Sequence, residues 1–234
     1  DRRFRSYAKM DEVIFTIGRL AGERARELHR RGDDKGASRF LRIMVGKFSR
    51  FNLEFPRSRF RPVAAYIAAQ TFFETRRYRN AGGRLSWLLR QGGGVLAPWA
   101  YHLRGWCRLR LGDHTRALSD FAALARLAKA DRRLLAAARR DLVFAYAGFR
   151  KLPPRKAFLR LIRAVRKRAL AKRLVIALAA RYVALGNRGA AATVYRIALR
   201  RWPRDSRAGT WRAAQRALRR SARSRSRADP VDRR

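Results

Sequence analysis

The residues of this sequence that could do chemistry are few, and they do not form a catalytic set. Cys107 is the only cysteine, and the three histidines, His29, His102 and His114, are scattered along the chain. A cysteine nucleophile needs a base close to it, and a metal site needs several ligands at short spacing. Neither pattern occurs in the sequence. We therefore predict no enzyme activity, no metal site and no cofactor, with Cys107 as a buried, inert thiol.

Two other patterns look like functional motifs but have simpler explanations. The stretch QGGGV at 91–95 is rich in glycine and precedes a helix, but it lacks the Gly-Lys-Ser/Thr ending of a phosphate-binding loop. We predict a plain flexible connection there. Glu23 and Glu27 are spaced like paired carboxylates, but arginines such as Arg19 and Arg24 surround them. This predicts ion pairs on a helix surface and not acid/base chemistry.

The strongest chemical signal is charge. The 234 residues include 59 Lys plus Arg and 16 Asp plus Glu, which gives a formal net charge of +43, and 51 of the basic residues are arginine. A GC-rich coding sequence would raise arginine and alanine without selection on charge, but it would not explain the scarcity of Asp and Glu. The excess favours an anionic partner, which could be an acidic protein, an anionic polysaccharide, a lipid headgroup surface or a nucleic acid.

Helices are the elements that must position these residues. Apolar residues recur every three or four positions, as at Leu135, Leu142 and Tyr146, and no alternating stretch predicts a strand. Breaks in the pattern fall at 30–36, 54–62, 90–98, 111–114, 128–131, 151–156, 184–189 and 201–206. The intervening segments have roughly 13 to 21 residues, which predicts an all-α fold of antiparallel helical hairpins.

No stretch of the sequence is apolar enough to predict a membrane span. The most apolar run, LVIALAA at 174–180, is far shorter than the ~20 residues that cross a bilayer. We predict a chain without a transmembrane segment, monomeric by default. The sequence begins at Asp1 and not at a methionine, so a processed product, a removed signal peptide and an excised fragment all stay open.

Small and aromatic residues recur at fixed spacing in residues 172–205. Tyr182 precedes a turn at Gly186, and Ala191 and Tyr195 lie on one face of the next helix, before a closing proline. Small residues let two helices approach closely, and glycine reverses the chain between them. This spacing resembles the tetratricopeptide repeat, whose 34-residue pattern runs Trp, two residues, Leu-Gly, two residues, Tyr, then Ala, three residues, Phe, and finally Pro.

The resemblance extends over roughly residues 10–205. A second strong copy is formed by Tyr101, Gly105, Gly112, Ala117 and Phe121. A third copy, after the phrase FPRSRF at 55–60, has Arg76 where the turn glycine is usual, and segments 131–168 and 10–55 match loosely. In segment 10–55, Gly18 and Gly32 are fourteen residues apart where seven is usual, which predicts a first hairpin about two turns longer.

The resemblance implies a right-handed α-solenoid of about five helical hairpins with a C-terminal capping helix. The implied hairpins are about 10–55, 59–91, 98–128, 131–168 and 170–203, the cap is 205–220, and the repeat domain covers 10–220. A basic arm (1–9) and a disordered basic tail (221–234) flank this domain. Arg104 and Arg108 occupy positions that are usually apolar or aromatic. We expect either that their stems reach water or that their helix is rotated.

A solenoid of this type leaves a concave groove lined by the first helix of each hairpin. The implied lining residues are Tyr66, Gln70, Phe73, His102, Trp106, Arg110, Arg140, Phe144, Ile176 and Ala180. The predicted function is a non-catalytic scaffold that binds a partner peptide, helix or acidic surface. The alternative is non-specific binding of RNA or single-stranded DNA, with Trp99, Trp106, Trp202 or Trp211 stacking on bases. The phrase FPRSRF resembles repeats of bacterial envelope assembly proteins, which implies the bacterial envelope, periplasm or cytoplasm.

Overall fold

The computed structural model describes residues 9–127, 131–165 and 168–228, with side chains as far as Arg220. Within these ranges all regular structure is helical and no strand occurs, which confirms the all-α prediction. The α-helices are α1 (Met10–Arg30), α2 (Asp34–Glu54), α3 (Arg61–Glu74), α4 (Tyr78–Arg90), α5 (Ala97–Arg110), α6 (His114–Leu127), α7 (Arg132–Gly148), α8 (Pro154–Arg163), α9 (Arg168–Ala184), α10 (Arg188–Arg201) and α11 (Ala208–Ala228). A short 3₁₀ helix, Gly94–Leu96, precedes α5.

The starts of several helices are fixed by local side-chain chemistry. Asp33, Asp113, Asp131 and Asn187 each accept a hydrogen bond from a backbone N–H in the first turn of α2, α6, α7 and α10 respectively. Such caps satisfy N–H groups that have no partner inside the helix. Helices α3, α5 and α8 instead have proline in their first two positions, where a missing N–H does no harm.

The contacts group the described residues into two compact units, unit 1 up to residue 130 and unit 2 from residue 131 onward. In unit 1, α1 packs with α2, α3 with α4 and α5 with α6, and α3 also packs against both α1 and α5. In unit 2, α9 packs with α10 and α10 with α11, while α7 contacts both α8 and α9. Within each unit, the helices that begin successive hairpins therefore lie side by side.

Four of the hairpin turns share one backbone geometry. The second residue after the first helix of each hairpin has a left-handed φ, of 83° at Gly32, 60° at Arg76, 79° at Gly112 and 75° at Gly186. The next residue donates its N–H to a carbonyl five positions earlier in each case, with N···O distances of 2.9, 2.7, 2.8 and 2.8 Å. Glycine adopts this φ without strain, whereas a residue with a Cβ atom is strained in it. Arg76 therefore has the same left-handed conformation that glycine has at the equivalent position of the other three turns.

Small residues recur at fixed distances from these four turns. Seven residues before the turn stand Ala25, Ala69, Gly105 and Ala179, and five residues after it stand Ala37, Ala81, Ala117 and Ala191, all of them buried. These positions let the two helices of each hairpin approach closely. Helices α1 and α2 have 21 residues each, against 14 each for α5 and α6, so the prediction of a longer first hairpin is confirmed.

The two chain ends differ in how far the structure describes them. Most of the predicted basic arm, residues 1–8, lies outside the described residues, as do residues 229–234 of the predicted tail. Helix α11 continues through Ala228, eight residues beyond the predicted cap, over a stretch for which the sequence predicts disorder. Alanine and arginine, which make up much of this stretch, are good helix formers, so the helix continues without an apolar repeat.

Candidate binding surfaces

Six of the ten predicted lining residues lie in unit 1 on two helices that pack against each other. Tyr66, Gln70 and Phe73 lie on α3, and His102, Trp106 and Arg110 lie on α5; we call this set the unit-1 face. Each trio is spaced by three or four residues and so shares one side of its helix. Arg110 is exposed and the other five are half-buried, so none belongs to the buried core.

Aromatic contacts hold parts of the unit-1 face in place. The Phe73 ring meets Tyr78 edge to face at 5.4 Å between centroids, and the Trp106 ring meets Phe121 at 6.1 Å. Partial burial raises the pKa of Tyr66, so its hydroxyl stays protonated at neutral pH. Trp99 stands three residues before His102 on the same side of α5 and is 44% exposed. Its spacing of three residues from His102 could have predicted Trp99 as a further lining residue.

The other four predicted lining residues lie in unit 2, on α7 and α9, which also pack against each other. Arg140 and Phe144 belong to α7, and Ile176 and Ala180 belong to α9; we call this set the unit-2 face. Arg140 and Ala180 are exposed, and Phe144 and Ile176 are half-buried. The guanidinium carbon of Arg181 lies 4.5 Å from the centroid of the Phe144 ring, a cation–π contact that the sequence alone did not reveal.

A buried carboxylate explains the two arginines that depart from the repeat pattern. Asp120 on α6 is 2% exposed and accepts hydrogen bonds from Nε and Nη2 of Arg104 at 3.1 and 2.7 Å. Nη1 of Arg108 lies 2.7 Å from Oδ2 of the same carboxylate, the oxygen that also accepts from Nε of Arg104. The expectation of water-reaching stems or a rotated helix is therefore replaced by a buried ion cluster, in which Arg104 also donates to the Ser86 hydroxyl at 3.2 Å.

A second carboxylate, Asp205, joins three helices of unit 2. Its side chain is 5% exposed and pairs with Lys172 of α9, while the Arg207 backbone N–H donates to it at 3.0 Å. The hydrogen bond from Lys172, followed by that from the Arg207 backbone, lowers the pKa of Asp205 to about 2. Asp205 therefore stays ionised at neutral pH and fixes the connection between α10 and α11.

Two tryptophans lie near the Asp205–Lys172 pair, and their burial contradicts the prediction that they could stack on bases. Trp202 is 5% exposed and Trp211 is 3% exposed, and their rings meet at 6.4 Å between centroids. Trp202 also packs on Phe158 at 5.9 Å. The prediction that Trp202 and Trp211 are available to stack on nucleic-acid bases is therefore wrong. Both rings instead fill the core between α8, α10 and α11.

The acidic residues after residue 74 serve mainly internal roles. Residues 75–228 contain 40 of the 59 basic residues but only 5 of the 16 acidic residues. Asp113 and Asp131 cap helices, Asp120 and Asp205 form the clusters described above, and Asp141 is 2% exposed. Few carboxylates are thus left at the surface of this part of the chain to balance its exposed arginines.

The residues singled out for possible chemistry have structural roles. Burial raises the pKa of Cys107 to about 12, so its thiol is protonated and unreactive at neutral pH. Glu23 and Glu27 form the predicted ion pairs, each at 2.7 Å, with Arg19 and Arg24. Three consecutive glycines from Gly92 to Gly94 have left-handed φ values and connect α4 to α5. Among the described residues, no group of three or more His, Cys, Asp or Glu side chains could hold a metal ion.

Comparisons with known proteins add no family assignment. Neither the models of known protein families nor the curated proteins give a match to this chain. Among the described helices, none combines the length and the apolar character needed to cross a membrane.

Proposed function

We propose that this protein is a non-catalytic scaffold of the tetratricopeptide repeat type that binds an acidic segment of a partner protein. One observation carries the proposal. The helices that begin successive hairpins pack side by side within each unit, and their predicted lining residues stay outside the buried core. Stacked hairpins of this kind present a continuous surface of first helices, which suits an extended peptide or a partner's helix.

The residue types on the two faces support a protein partner. The unit-1 face and the neighbouring Trp99 combine two tryptophans with Arg110, and the unit-2 face combines Arg140 with the Phe144 ring under Arg181. Tryptophan, tyrosine and arginine dominate the binding energy of protein interfaces, because they bury a large area and keep a polar group at its edge. Half-buried aromatics beside exposed arginines are thus placed where a partner could cover them.

The positive charge of the surface is the reason that we propose an acidic partner. Since the carboxylates after residue 74 are mostly caps or buried partners, exposed arginines dominate this part of the chain. Opposite charge on the partner would speed association and disfavour basic competitors. Attraction by net charge alone is not specific. The test must therefore distinguish binding by the two faces from attraction by the remaining charged surface.

The test compares two triple variants that carry the same charge. The face variant is Trp99→Ser, Arg110→Ser and Arg140→Ser, which changes one exposed apolar residue and two arginines on first helices. The control variant is Leu53→Ser, Arg79→Ser and Arg196→Ser, which makes matching changes at exposed positions on second helices. Binding of a fluorescein-labelled polyglutamate peptide is followed by anisotropy at 0.15 M salt, where charges further apart than about 8 Å are screened.

We expect the face variant to raise Kd at least about tenfold and the control variant to raise it less than about threefold. Equal losses in the two variants would contradict the proposal, because they would mean that net charge alone attracts the peptide. A labelled single-stranded oligonucleotide serves as a second probe. Micromolar binding of the oligonucleotide that persists at 0.2 M salt, and that only the face variant weakens, would favour the nucleic-acid alternative instead.

A further inference from the structure

Helix α11 presents a row of arginines to solvent. Arg212, Arg216, Arg219 and Arg220 are all exposed, and we call them the arginine row. They stand at positions i, i+4, i+7 and i+8, which places them within an arc of about 100° on one side of the helix and over about 12 Å of its length. Arg223 and Arg227 continue the same register, at i+11 and i+15, along the backbone of α11.

No acidic residue balances this row from within its own helix. Residues 208–228 contain seven arginines and no Asp or Glu. The preceding carboxylate, Asp205, is already engaged by Lys172 and Arg207. As far as the structure describes the chain, the row takes part in no ion pair, and the adjacent α10 ends with the exposed Arg200 and Arg201. The positive charge of α11 is therefore directed at solvent.

The opposite side of α11 anchors the helix to unit 2. Trp211 is 3% exposed and packs against Trp202, and the Arg207 guanidinium carbon lies 5.5 Å from the Trp211 ring centroid. Helices α10 and α11 pack along each other. The arginine row is thus held on a fixed support, so less conformational freedom is lost when it binds a ligand.

We infer that the arginine row of α11 binds the phosphate backbone of double-stranded nucleic acid. A duplex carries about one negative charge per 1.7 Å of its axis, so a row about 12 Å long meets several phosphates at once. Guanidinium groups bind phosphate oxygens with two parallel hydrogen bonds. Single strands are less suited to this surface, because their binding relies on exposed aromatic rings, and Trp211, the one aromatic of α11, is buried.

The inference is tested with two variants that each lose four positive charges. One variant loses them from the arginine row, and the control loses them elsewhere on the surface. The row variant is Arg212→Gln, Arg216→Gln, Arg219→Gln and Arg220→Gln. The control variant is Arg39→Gln, Arg42→Gln, Arg79→Gln and Arg90→Gln, four exposed arginines of α2 and α4. Glutamine is a good helix former, so both variants should fold, and circular dichroism checks this. Anisotropy of a labelled 20-base-pair DNA duplex is measured from 50 to 300 mM salt.

We expect the row variant to weaken duplex binding at least about tenfold at 0.1 M salt. The slope of log K against log salt should fall by about 0.9 for every phosphate that the row no longer neutralises, and hence by up to about 3.6. The control variant should keep most of the wild-type affinity and slope. A second row variant with lysine at all four positions should keep the slope, since it keeps the charge. Equal losses in the row and control variants would overturn the inference.

Two further probes separate this inference from the proposed scaffold function. A matched single strand should bind more weakly than the duplex, and polyglutamate binding should depend on the two faces and not on the row. If the row variant weakens polyglutamate binding as much as duplex binding, the row is a general anion surface and the inference is wrong. The face variant should leave duplex binding intact, so the scaffold proposal and this inference can fail independently.

Discussion

Hairpins α3–α4 and α5–α6 are neighbours in unit 1 with nearly equal lengths, yet their interiors are held differently. Counted from their turns, Ala68, Phe72 and Leu85 of the first hairpin correspond to Arg104, Arg108 and Phe121 of the second. The first hairpin buries all three apolar side chains. The second instead encloses two arginines around the Asp120 carboxylate.

The same two hairpins also differ at their turns. Hairpin α5–α6 turns through Gly112, and the side chain of Asp113 caps α6. Hairpin α3–α4 turns through Arg76 with a φ of 60°, and Arg77 gives no side-chain cap to α4. One backbone arrangement thus accepts an apolar interior with a strained turn, or a charged interior with a relaxed turn. Substitutions can test each half of this contrast.

The largest effect is expected from breaking the charged interior. Asp120→Asn should lower the free energy of unfolding by about 3 kcal/mol, because it leaves Arg104 and Arg108 partly buried without a charge partner. We take the lower end of the range for buried pairs, since these side chains keep 14% and 23% exposure. Urea denaturation followed by circular dichroism measures the change. Glu12→Gln removes the same charge at an exposed position and should change stability by less than about 0.5 kcal/mol.

A compensating variant sharpens this first prediction. Arg104→Met, Arg108→Leu and Asp120→Leu together replace the ion cluster with apolar side chains; the two arginine positions then resemble their apolar counterparts Ala68 and Phe72 in α3–α4. Because removing both signs of charge leaves no buried charge unpaired, the triple variant should recover most of the loss caused by Asp120→Asn. A triple variant that is less stable than Asp120→Asn would show that the cluster itself stabilises the hairpin.

The next effect concerns the close approach of α5 and α6. A Cβ added at Gly105 would lie 2.6 Å from Cε1 of Phe121, so Gly105→Ala should lower stability by roughly 1–3 kcal/mol. The corresponding pair in α3–α4 is Ala69 with Leu85. Adding Phe121→Leu should therefore relieve the clash, with a coupling of about 1 kcal/mol in a double-mutant cycle. Strictly additive effects of the two changes would contradict this account.

The turn of α3–α4 should respond with a gain in stability. Arg76→Gly should raise the free energy of unfolding by about 1 kcal/mol, because glycine adopts the left-handed φ without strain. Arg76→Ala removes the same charge but keeps the strain, so it should give no gain in the same urea titration. The reverse change, Gly112→Ala, should destabilise α5–α6 by about 1 kcal/mol. If Ala and Gly at position 76 gave equal gains, relief of charge and not of strain would be responsible.

The smallest effect is expected at Cys107, whose counterpart in α3 is Thr71. The Thr71 hydroxyl donates to the Ile67 carbonyl at 3.0 Å within its own helix. Because a threonine at 107 could donate in the same way, Cys107→Thr should lower stability by less than about 1 kcal/mol. Cys107→Asp, which places a charge at this buried position, should be much more destabilising. A large loss with threonine would show that the site demands the sulfur itself.

Much of the helical framework could be predicted because it depends on local sequence. Apolar periodicity and the glycines at 32, 112 and 186 placed the helices and three of the turns, and the spacing of Gly18 and Gly32 predicted the longer first hairpin. These signals act over a few residues, where backbone sterics and helix period decide the outcome.

Contacts between residues that are far apart along the chain could not be predicted from the sequence. Asp120 lies 16 residues from Arg104 and Asp205 lies 33 from Lys172, so nothing local showed that these charges meet. For the same reason the burial of Trp202 and Trp211 was missed, and the aromatics looked available for stacking. The resemblance to the repeat implied which residues line the two faces, but contacts such as that of Arg181 with Phe144 depend on packing between helices.

The locality of the helix contacts has a consequence for how the chain folds. The main contacts join helices that are adjacent or next but one in the sequence. Helical proteins with such short-range contacts fold in about microseconds to milliseconds, whereas synthesis adds only about 5–20 residues per second. Each hairpin can therefore close well before the next one has been made. The arginine-rich helix α11, which follows α10 in the sequence, then meets a surface of α10 that is already formed.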